Sequence, residues 1–116
     1  SSRQKAGQDL DVIAPGAWIV GPFQLQSGKT SYFFLSGTSM SSPHVAGIAA
    51  LMMQKNPALT QGMVETLMEG AAIPMGAACA TVNNPGGATT STTCWDVDAT
   101  GAGFITADAA LAVTPP

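Results

Sequence analysis

The stretch SGTSMSSPHVAG, residues 36–47, holds a candidate nucleophilic serine and the only histidine of the chain. It opens a segment that carries no charge until Lys55 and is rich in Gly, Ala, Val, Ile, Leu and Met. A helix that is apolar all round is a buried helix. The stretch therefore predicts a buried helix that starts at about Ser39, the candidate nucleophile.

Three sequence features support this helix and its predicted ends. Thr38 or Ser39 is predicted to cap it, because a hydroxyl accepts hydrogen bonds from the free N–H groups of the first turn. Pro43 is predicted to fall in the first turn or so, where its missing N–H costs little. The pair Asn56-Pro57 is predicted to end the helix, since a residue before proline avoids helical backbone.

The spacing of Ser39 and His44 argues against a catalytic pair. Five residues place His44 about 140° round the helix axis, so the two side chains are predicted not to converge. A nucleophilic serine needs its base within hydrogen-bond reach, and His44 is therefore predicted to be a buried, hydrogen-bonded structural residue. Ser39 itself is either a plain cap or a nucleophile whose oxyanion the free N–H groups and dipole of the helix start stabilise.

The composition excludes some partners. Only 9% of residues are charged, against about 25% in a typical globular protein, which suggests that further protein covers part of the surface. The net charge is −3 and no basic cluster exists, which argues against nucleic acid as a partner. Apolar runs are far shorter than the ~20 residues of a membrane span, so no membrane is predicted.

The flanking segments are predicted to form short strands and helices. Hydrophobic runs predict strands at 10–16, 17–21 and 31–35, with a chain reversal at Ser27-Gly28-Lys29. Thr60 is predicted to cap a second helix over 61–69, with Gly70 just past its end. Thr106 is predicted to cap a last short helix that Pro115-Pro116 stops. Residues 74–103 are predicted to form a long loop.

Two cysteines, Cys79 and Cys94, lie inside that loop. The simplest interpretation is a disulfide that closes a loop of roughly 15 residues and adds about 3 kcal/mol to stability. A disulfide favours an exported protein, and two free thiols remain the alternative. The following stretch DVDATG, residues 96–101, matches the start of a calcium loop, but the closing acid would be Ala107, so no metal site is predicted.

The stretch GTSMSSPHVAGIAAL resembles the serine motif of the subtilisin-like serine proteases, the subtilases. That motif commonly reads Gly-Thr-Ser-Met-Ala-x-Pro-His-Val-Ala-Gly, and only Ser41 departs from it, with another small residue that is expected to be harmless. The stretches DVIAPG, KNPALTQGMVETLMEGA and GAGFITADAAL resemble the family's flanking segments. The resemblance covers about residues 9–73 and 101–113 and leaves out 74–100.

The resemblance implies part of an α/β fold with a parallel sheet flanked by helices and a central, buried helix that starts at Ser39. It also implies a serine endopeptidase that acts on protein or peptide substrates. By the same resemblance Ser39 is the nucleophile, and its own N–H is an oxyanion donor, assisted by Thr38. Leu35, Ser36 and Gly37 would line the leaving-group side of the cleft. His44 and Pro43 would be structural. No cofactor is implied for this chain, and calcium is left open for the complete protease.

One departure from the family is large. Subtilases place the catalytic aspartate, histidine and oxyanion-hole asparagine well upstream of the serine, and only 38 residues precede Ser39. Asp9 and Asp11 lack the catalytic context. Residues 1–116 are therefore interpreted as the C-terminal portion of a secreted protease domain, with a disulfide-closed loop at 74–100. Alone it is expected to be inactive, needing the upstream portion of the same protease as its partner.

Two alternatives stay open on the sequence. The chain is an inactive fragment or pseudoenzyme that acts as a secreted binding module through the 74–100 loop, or it belongs to a relative that joins peptides instead of hydrolysing them. An upstream Asp/His pair would distinguish an enzyme from a pseudoenzyme.

Overall fold

The structure is a computed structural model that describes residues 9–84 and 87–116. Its elements are β1 (Ile19–Gln26), β2 (Lys29–Leu35), α1 (Thr38–Lys55), α2 (Gln61–Ala71), β3 (Ala78–Asn83), β4 (Thr90–Trp95) and α3 (Ala107–Val113), with a 3-10 turn at Val97–Ala99. Helices and strands are both present, so the α/β class predicted from the sequence is confirmed.

Helix α1 begins differently from the prediction. It starts at Thr38, its N-cap is Gly37, and no side chain caps it, so the prediction that Thr38 or Ser39 caps the helix is wrong. Pro43 is the sixth residue of α1 and lies in its second turn, so its missing N–H leaves the Ser39 carbonyl without a helical donor. The predicted end is confirmed, because Asn56 is the C-cap.

Only one side of α1 meets the core in this chain. Within the described residues, Ile48 and Met52 are the buried residues of α1, while Leu51 and Met53 are exposed. Burial on all sides, as the sequence predicted, is therefore not seen here. The core lies where the three helices and their connections meet, and it comprises Ile48, Met52, Leu59, Val64, Met68, Ile105 and Ala110.

The second and third helices pack against α1. Thr60 caps α2 as predicted, since its Oγ1 accepts a hydrogen bond from the Met63 N–H at 3.4 Å. The predicted end at Gly70 is wrong, because α2 continues through Gly70 to Ala71 and Ala72 is its C-cap. Thr106 occupies the N-cap position of α3, as predicted, but its side chain makes no capping hydrogen bond. None of the helices in the described ranges is long and apolar enough to cross a bilayer.

Strands β1 and β2 form an antiparallel hairpin in which Ile19 lies opposite Leu35. The chain reverses after Gln26 as predicted, at a turn where Gly28 has φ 76°. A glycine adopts this left-handed backbone without steric cost. The two faces of the hairpin differ: one is turned toward α1, and the other exposes Tyr32 by 73% and Phe34 by 66%.

The predicted parallel sheet is not confirmed. Both ladders of the described chain are antiparallel two-stranded sheets. Parallel pairing within the described residues is limited to one isolated bridge, between Ile13 and Phe104. The segment 10–16, predicted as a strand, contributes this bridge, and Phe104 also pairs with Ile73 in an antiparallel bridge.

The prediction of a long loop over residues 74–103 is wrong, because β3 and β4 form a second antiparallel hairpin there. Thr, Val and Trp are strand-forming residues, and their contribution outweighed the Gly and Asn that had suggested a loop. The disulfide joins Cys79 and Cys94, which lie opposite each other in the ladder. This confirms the predicted bridge.

Candidate active site

Ser39 is an exposed residue in the first turn of α1. The turn is set by Gly37, whose φ of 153° is suited to glycine, and whose N–H donates to the Gly16 carbonyl at 2.7 Å. The Gly37 carbonyl accepts from the Met40 N–H at 3.0 Å. The N–H groups of Thr38 and Ser39 therefore precede the first hydrogen bond of the helix, where backbone donors lack intrahelical acceptors.

A cleft of about 410 Å³ lies between α1 and the β1–β2 hairpin, next to Ser39. Most of its wall is apolar. The residues that line it are Ile19, Gly21, Pro22, Phe23, Leu35, Ser39, Met40, Pro43 and His44. The structure thus brings four of the predicted site residues together, namely Ser39, Leu35, Pro43 and His44.

His44 is exposed, so the prediction of a buried histidine is wrong. Its Nδ1 lies 2.7 Å from the carbonyl oxygen of Met40, one turn earlier, so the predicted hydrogen bond is present. Because a carbonyl oxygen only accepts, Nδ1 is the donor in this hydrogen bond.

Ser39 and His44 both line this cleft, although they are five residues apart on α1. The cleft is wide enough to reach across more than one face of α1. Among the described residues, no hydrogen bond joins the two side chains, and the imidazole Nδ1 is bound to its own helix. Sharing a cleft therefore does not make them a nucleophile and base, a relation that requires hydrogen-bond reach.

The remaining predicted site residues lie round the helix start. Leu35 is half-buried at the end of β2 and forms part of the cleft wall. The Ser36 Oγ accepts a hydrogen bond from the Trp18 N–H at 2.9 Å, so this hydroxyl is engaged within the chain. Thr38 is exposed, but it lines a separate cavity of about 310 Å³. Thr38 is therefore beside Ser39 in the chain but not in its cleft.

No carboxylate lines the Ser39 cleft in the described part of the chain. Asp11 lines a different cavity, between α1 and α2. Its carbonyl accepts from the Ala102 N–H at 2.8 Å, which places it beside the Gly101–Gly103 turn. Asp11 thus lines a different cavity from Ser39, in keeping with the sequence argument that it lacks the catalytic context.

Segment 96–101, which matches the start of a calcium loop, forms a 3-10 turn with Asp96 as its N-cap. The hydroxyl of Thr100 is buried and donates to the Met75 carbonyl at 3.2 Å. Over the described ranges, no three His, Cys, Asp or Glu side chains are grouped so as to hold a metal ion. The 3-10 turn and the Thr100 hydrogen bond to Met75 account for the conformation of this segment.

Sequence reasoning missed Ser41, whose Oγ donates to the carbonyl oxygen of Ala14 at 3.0 Å. It also missed Gly16, since a Cβ on that residue would collide with Ser41 Oγ and would lie 2.8 Å from the Gly37 carbonyl oxygen. One signal was visible in the sequence: Ser41 is the single departure from the family motif. The other contacts join residues more than 20 positions apart and have no local signal.

Comparison with known proteins gives the class to which this site belongs. The sequence profile of the peptidase S8, or subtilase, family matches residues 1–104. The match extends over most of the chain, and it includes both the cleft and the first turn of α1. The chain belongs to the subtilase family.

Individual relatives carry protease names. An extracellular protease of Xanthomonas campestris is 39% identical over 117 residues, covering 96% of this chain and 17% of the relative. A subtilisin of Bacillus pumilus is 42% identical over 76 residues, covering 66% of this chain and 26% of the relative. The M-protease of Shouchella clausii is 38% identical over 76 residues, covering 66% of this chain and 19% of the relative.

The aligned share differs among these relatives. The Xanthomonas alignment covers 96% of the chain and therefore takes in the β3–β4 hairpin, while the Bacillus and Shouchella alignments cover 66%. The hairpin region is thus part of a similarity to at least one extracellular protease. The chain spans between 17% and 26% of the length of these relatives.

Proposed function

We propose that this chain is the nucleophile-bearing portion of a secreted serine endopeptidase, with Ser39 as the nucleophile. The observation that carries the proposal is the position of Ser39, exposed at the first turn of α1 and on the wall of an apolar cleft. Membership of the subtilase family supports it. In the complete protein the substrate is a protein or peptide chain.

The reaction follows from the chemistry of an activated serine. The Ser39 Oγ attacks the scissile carbonyl carbon while a general base removes its proton, and the carbonyl oxygen gains negative charge. The Ser39 N–H, in the dipole of the helix start, donates to this oxyanion, and Thr38 assists from the adjacent position. Collapse of the intermediate releases the amine with a proton from the base, and water then hydrolyses the acyl-enzyme. Acyl transfer of this kind needs no cofactor.

The base must come from elsewhere in the complete protein. His44 is the only histidine of the chain, and its Nδ1 is held by the Met40 carbonyl. We therefore assign His44 and Pro43 to shaping the cleft and the first turns of α1. An upstream portion of the same protease supplies the catalytic aspartate, the histidine and the oxyanion-hole asparagine, so that the chain alone is inactive.

On the leaving-group side of Ser39 we place Leu35, Ser36 and Gly37. Leu35 gives an apolar wall to the cleft, and Gly37, without a side chain, lets a substrate backbone come close to the helix start. Secretion is supported by the Cys79–Cys94 disulfide, since oxidising compartments favour such bonds. One relative is also named as an extracellular protease.

Fluorophosphonate labelling of the complete protein that carries this chain tests the proposal. In the wild type, the Ser39 Oγ is expected to displace fluoride, and the peptide that contains Ser39 gains the probe mass. Ser39→Ala is the test variant, and Ser42→Ala, an exposed serine of the same helix, is the matched control. In subtilisin itself, loss of the nucleophile lowers turnover about 10⁶-fold, a value that belongs to that relative.

The outcomes separate the candidate functions. Labelling and peptide hydrolysis that persist in Ser42→Ala but vanish in Ser39→Ala support the endopeptidase. A complete protein that neither takes the probe nor cleaves peptides contradicts it and favours a pseudoenzyme that binds without catalysis. Labelling with transfer of the acyl group to an added amine, in preference to water, would favour ligation over hydrolysis.

A further inference from the structure

Three hydrogen bonds attach residues 14–18 to the chain around Ser39. The Ala14 carbonyl accepts from Ser41 Oγ at 3.0 Å, and the Gly16 carbonyl accepts from the Gly37 N–H at 2.7 Å. The third bond, from the Trp18 N–H to Ser36 Oγ, is the one described above. We refer to residues 14–18 as the strap. Its bonds are made at residues 14, 16 and 18.

The strap lies tightly against the helix start. A Cβ on Gly16 would collide with Ser41 Oγ and would lie only 2.8 Å from the Gly37 carbonyl oxygen. Contacts below 3.0 Å are ones that real Cβ atoms essentially never make. Ser41 Oγ therefore fills the space over Gly16 as well as binding Ala14. This close fit leaves the strap little room to shift while the Ser41 hydroxyl stays in place.

The strap also contains an uncommon backbone conformation. Trp18 has φ 56° and is the one described non-glycine residue with a positive φ. A bulky residue in this region is strained, and such strain persists only where surrounding contacts maintain it. Here the Trp18 N–H is bound by Ser36 Oγ. The strained residue is thus tied to the segment that leads into the nucleophile turn.

Gly37 links the strap to the nucleophile. Its N–H is bound by the strap at Gly16, and its carbonyl is bound by the Met40 N–H of α1. In the sequence, Ser39 lies between Gly37 and Met40, the two residues of the helix start that make these bonds. Any movement of the strap relative to α1 therefore reaches the backbone of Thr38 and Ser39. Ser41 is a residue of α1 whose side chain donates a hydrogen bond to the strap.

We propose that Ser41 is a positioning residue for Ser39. Its hydroxyl holds the strap against the first turns of α1 and so maintains the orientation of the Ser39 Oγ and N–H. The Ser41 side chain lines a separate cavity and not the Ser39 cleft, so it acts through the backbone without touching the substrate. This proposal rests on the proposed role of Ser39.

The test uses the complete protein with Ser41→Ala and the matched control Ser42→Ala. Alanine favours helix, so Ser41→Ala is expected to fold. Three quantities are measured: the rate constant for Ser39 labelling by a fluorophosphonate, kcat and KM for a peptide substrate, and the unfolding midpoint. Active-site titration fixes the concentration of folded enzyme, so a loss of folded protein is not counted as a loss of rate.

Ser41→Ala is expected to lower kcat and the labelling rate constant together, by about three- to tenfold, the range that one net hydrogen bond allows. KM is expected to stay within about twofold, and Ser42→Ala to match the wild type. A lower unfolding midpoint with unchanged kcat and labelling rate would show that Ser41 is only structural and would overturn the proposal. A raised KM with unchanged kcat would overturn it too.

Failure of the proposed function has a different result. In that case the wild type itself takes no label and cleaves no peptide. Labelling of the wild type with equal rates in Ser41→Ala, by contrast, leaves the function of Ser39 standing and removes only the positioning role of Ser41.

Discussion

Cys79 lies directly opposite Cys94 in the β3–β4 ladder, and the two are joined by a disulfide 15 residues apart in the sequence. Both cysteines are exposed, and so are most residues of the two strands. A hairpin of this kind is marginally stable by itself. Besides the disulfide, it is tied by a hydrogen bond between the Thr81 and Thr92 hydroxyls at 2.8 Å and by Trp95 Nε1 donating to the Gly76 carbonyl at 3.0 Å.

Replacing both cysteines by serine is expected to lower the free energy of local opening of the β3–β4 hairpin by about 3 kcal/mol, the loop-entropy value for a loop of this size. The effect should be local, because the hairpin has little buried surface. Hydrogen exchange of residues 78–95 should accelerate, while that of α1 stays unchanged. Reduction of the wild type should add the mass of two hydrogens. An oxidised protein whose mass does not change on reduction would contradict the bridge.

Two methionines of α2 give a matched pair for the core. Met68 is 4% exposed and belongs to the core, whereas Met63 is 45% exposed. Met68→Ala is expected to cost about 2–5 kcal/mol, because it removes buried methylene groups and leaves a cavity. Met63→Ala should stay within about 0.5 kcal/mol of the wild type. Denaturant unfolding measures both, and equal losses in the two variants would contradict the position of the core.

Two glycines should respond in opposite directions to alanine. Gly103 has φ 134°, and a Cβ there would lie 2.6 Å from the carbonyl carbon of Ile73. Gly103→Ala should therefore lower the free energy of unfolding by about 2 kcal/mol or more, because it introduces strain at positive φ and overpacking. The substitution should also weaken the hydrogen bond from the Ile13 N–H to the Gly103 carbonyl oxygen, which is 2.8 Å long.

The matched control is Gly62→Ala. Gly62 lies in α2, with open space where its Cβ would be. Gly62→Ala should raise the free energy of unfolding by about 0.5–1 kcal/mol, because alanine favours helix more than glycine does. Thermal unfolding of the two variants gives the comparison, and stabilisation by Gly103→Ala would show that the turn beside Ile73 is looser than the structure indicates.

Asp108, in the first turn of α3, should contribute to the pH dependence of stability. Its pKa lies below the ordinary value of 3.8, first because the Thr106 side chain hydrogen-bonds to the carboxylate, and second because the Ala109 N–H does so. A carboxylate whose pKa falls on folding adds stability above its unfolded pKa and loses it as the pH falls through the folded pKa. The contribution should therefore be complete near neutral pH and disappear below 3.8.

Asp108→Asn is expected to be less stable than the wild type at pH 6, with the difference closing as the pH falls below the ordinary pKa. Thr106→Val, which removes the hydrogen bond named first, should lose part of the same pH-dependent increment. Denaturant midpoints over a pH series measure both. A difference that persists unchanged at low pH would mean that the variant acts through packing and not through the charge.

Local features were predicted well from the sequence. Thr60 at the start of α2, Asn56 at the end of α1 and the reversal at Gly28 follow from backbone preferences of residues close in the chain. The family motif located Ser39 at the start of α1 for a similar reason, since its residues are contiguous. Errors arose where local preferences compete: Gly37 replaced Thr38 or Ser39 as the cap, and a hairpin replaced the loop.

The position of Ser39 at a helix start and the family of the chain were therefore determined by the sequence itself, because each depends on residue type and short spacing. The sequence favoured a disulfide between Cys79 and Cys94 over two free thiols, and the structure confirms the disulfide. Three features needed the tertiary structure: the shared cleft of Ser39 and His44, the exposure of His44, and the bond from Ser41 to Ala14. They depend on how the β1–β2 hairpin and the strap pack against α1. Contacts between segments that are distant in the chain are set by the global fold, and local propensity does not predict them.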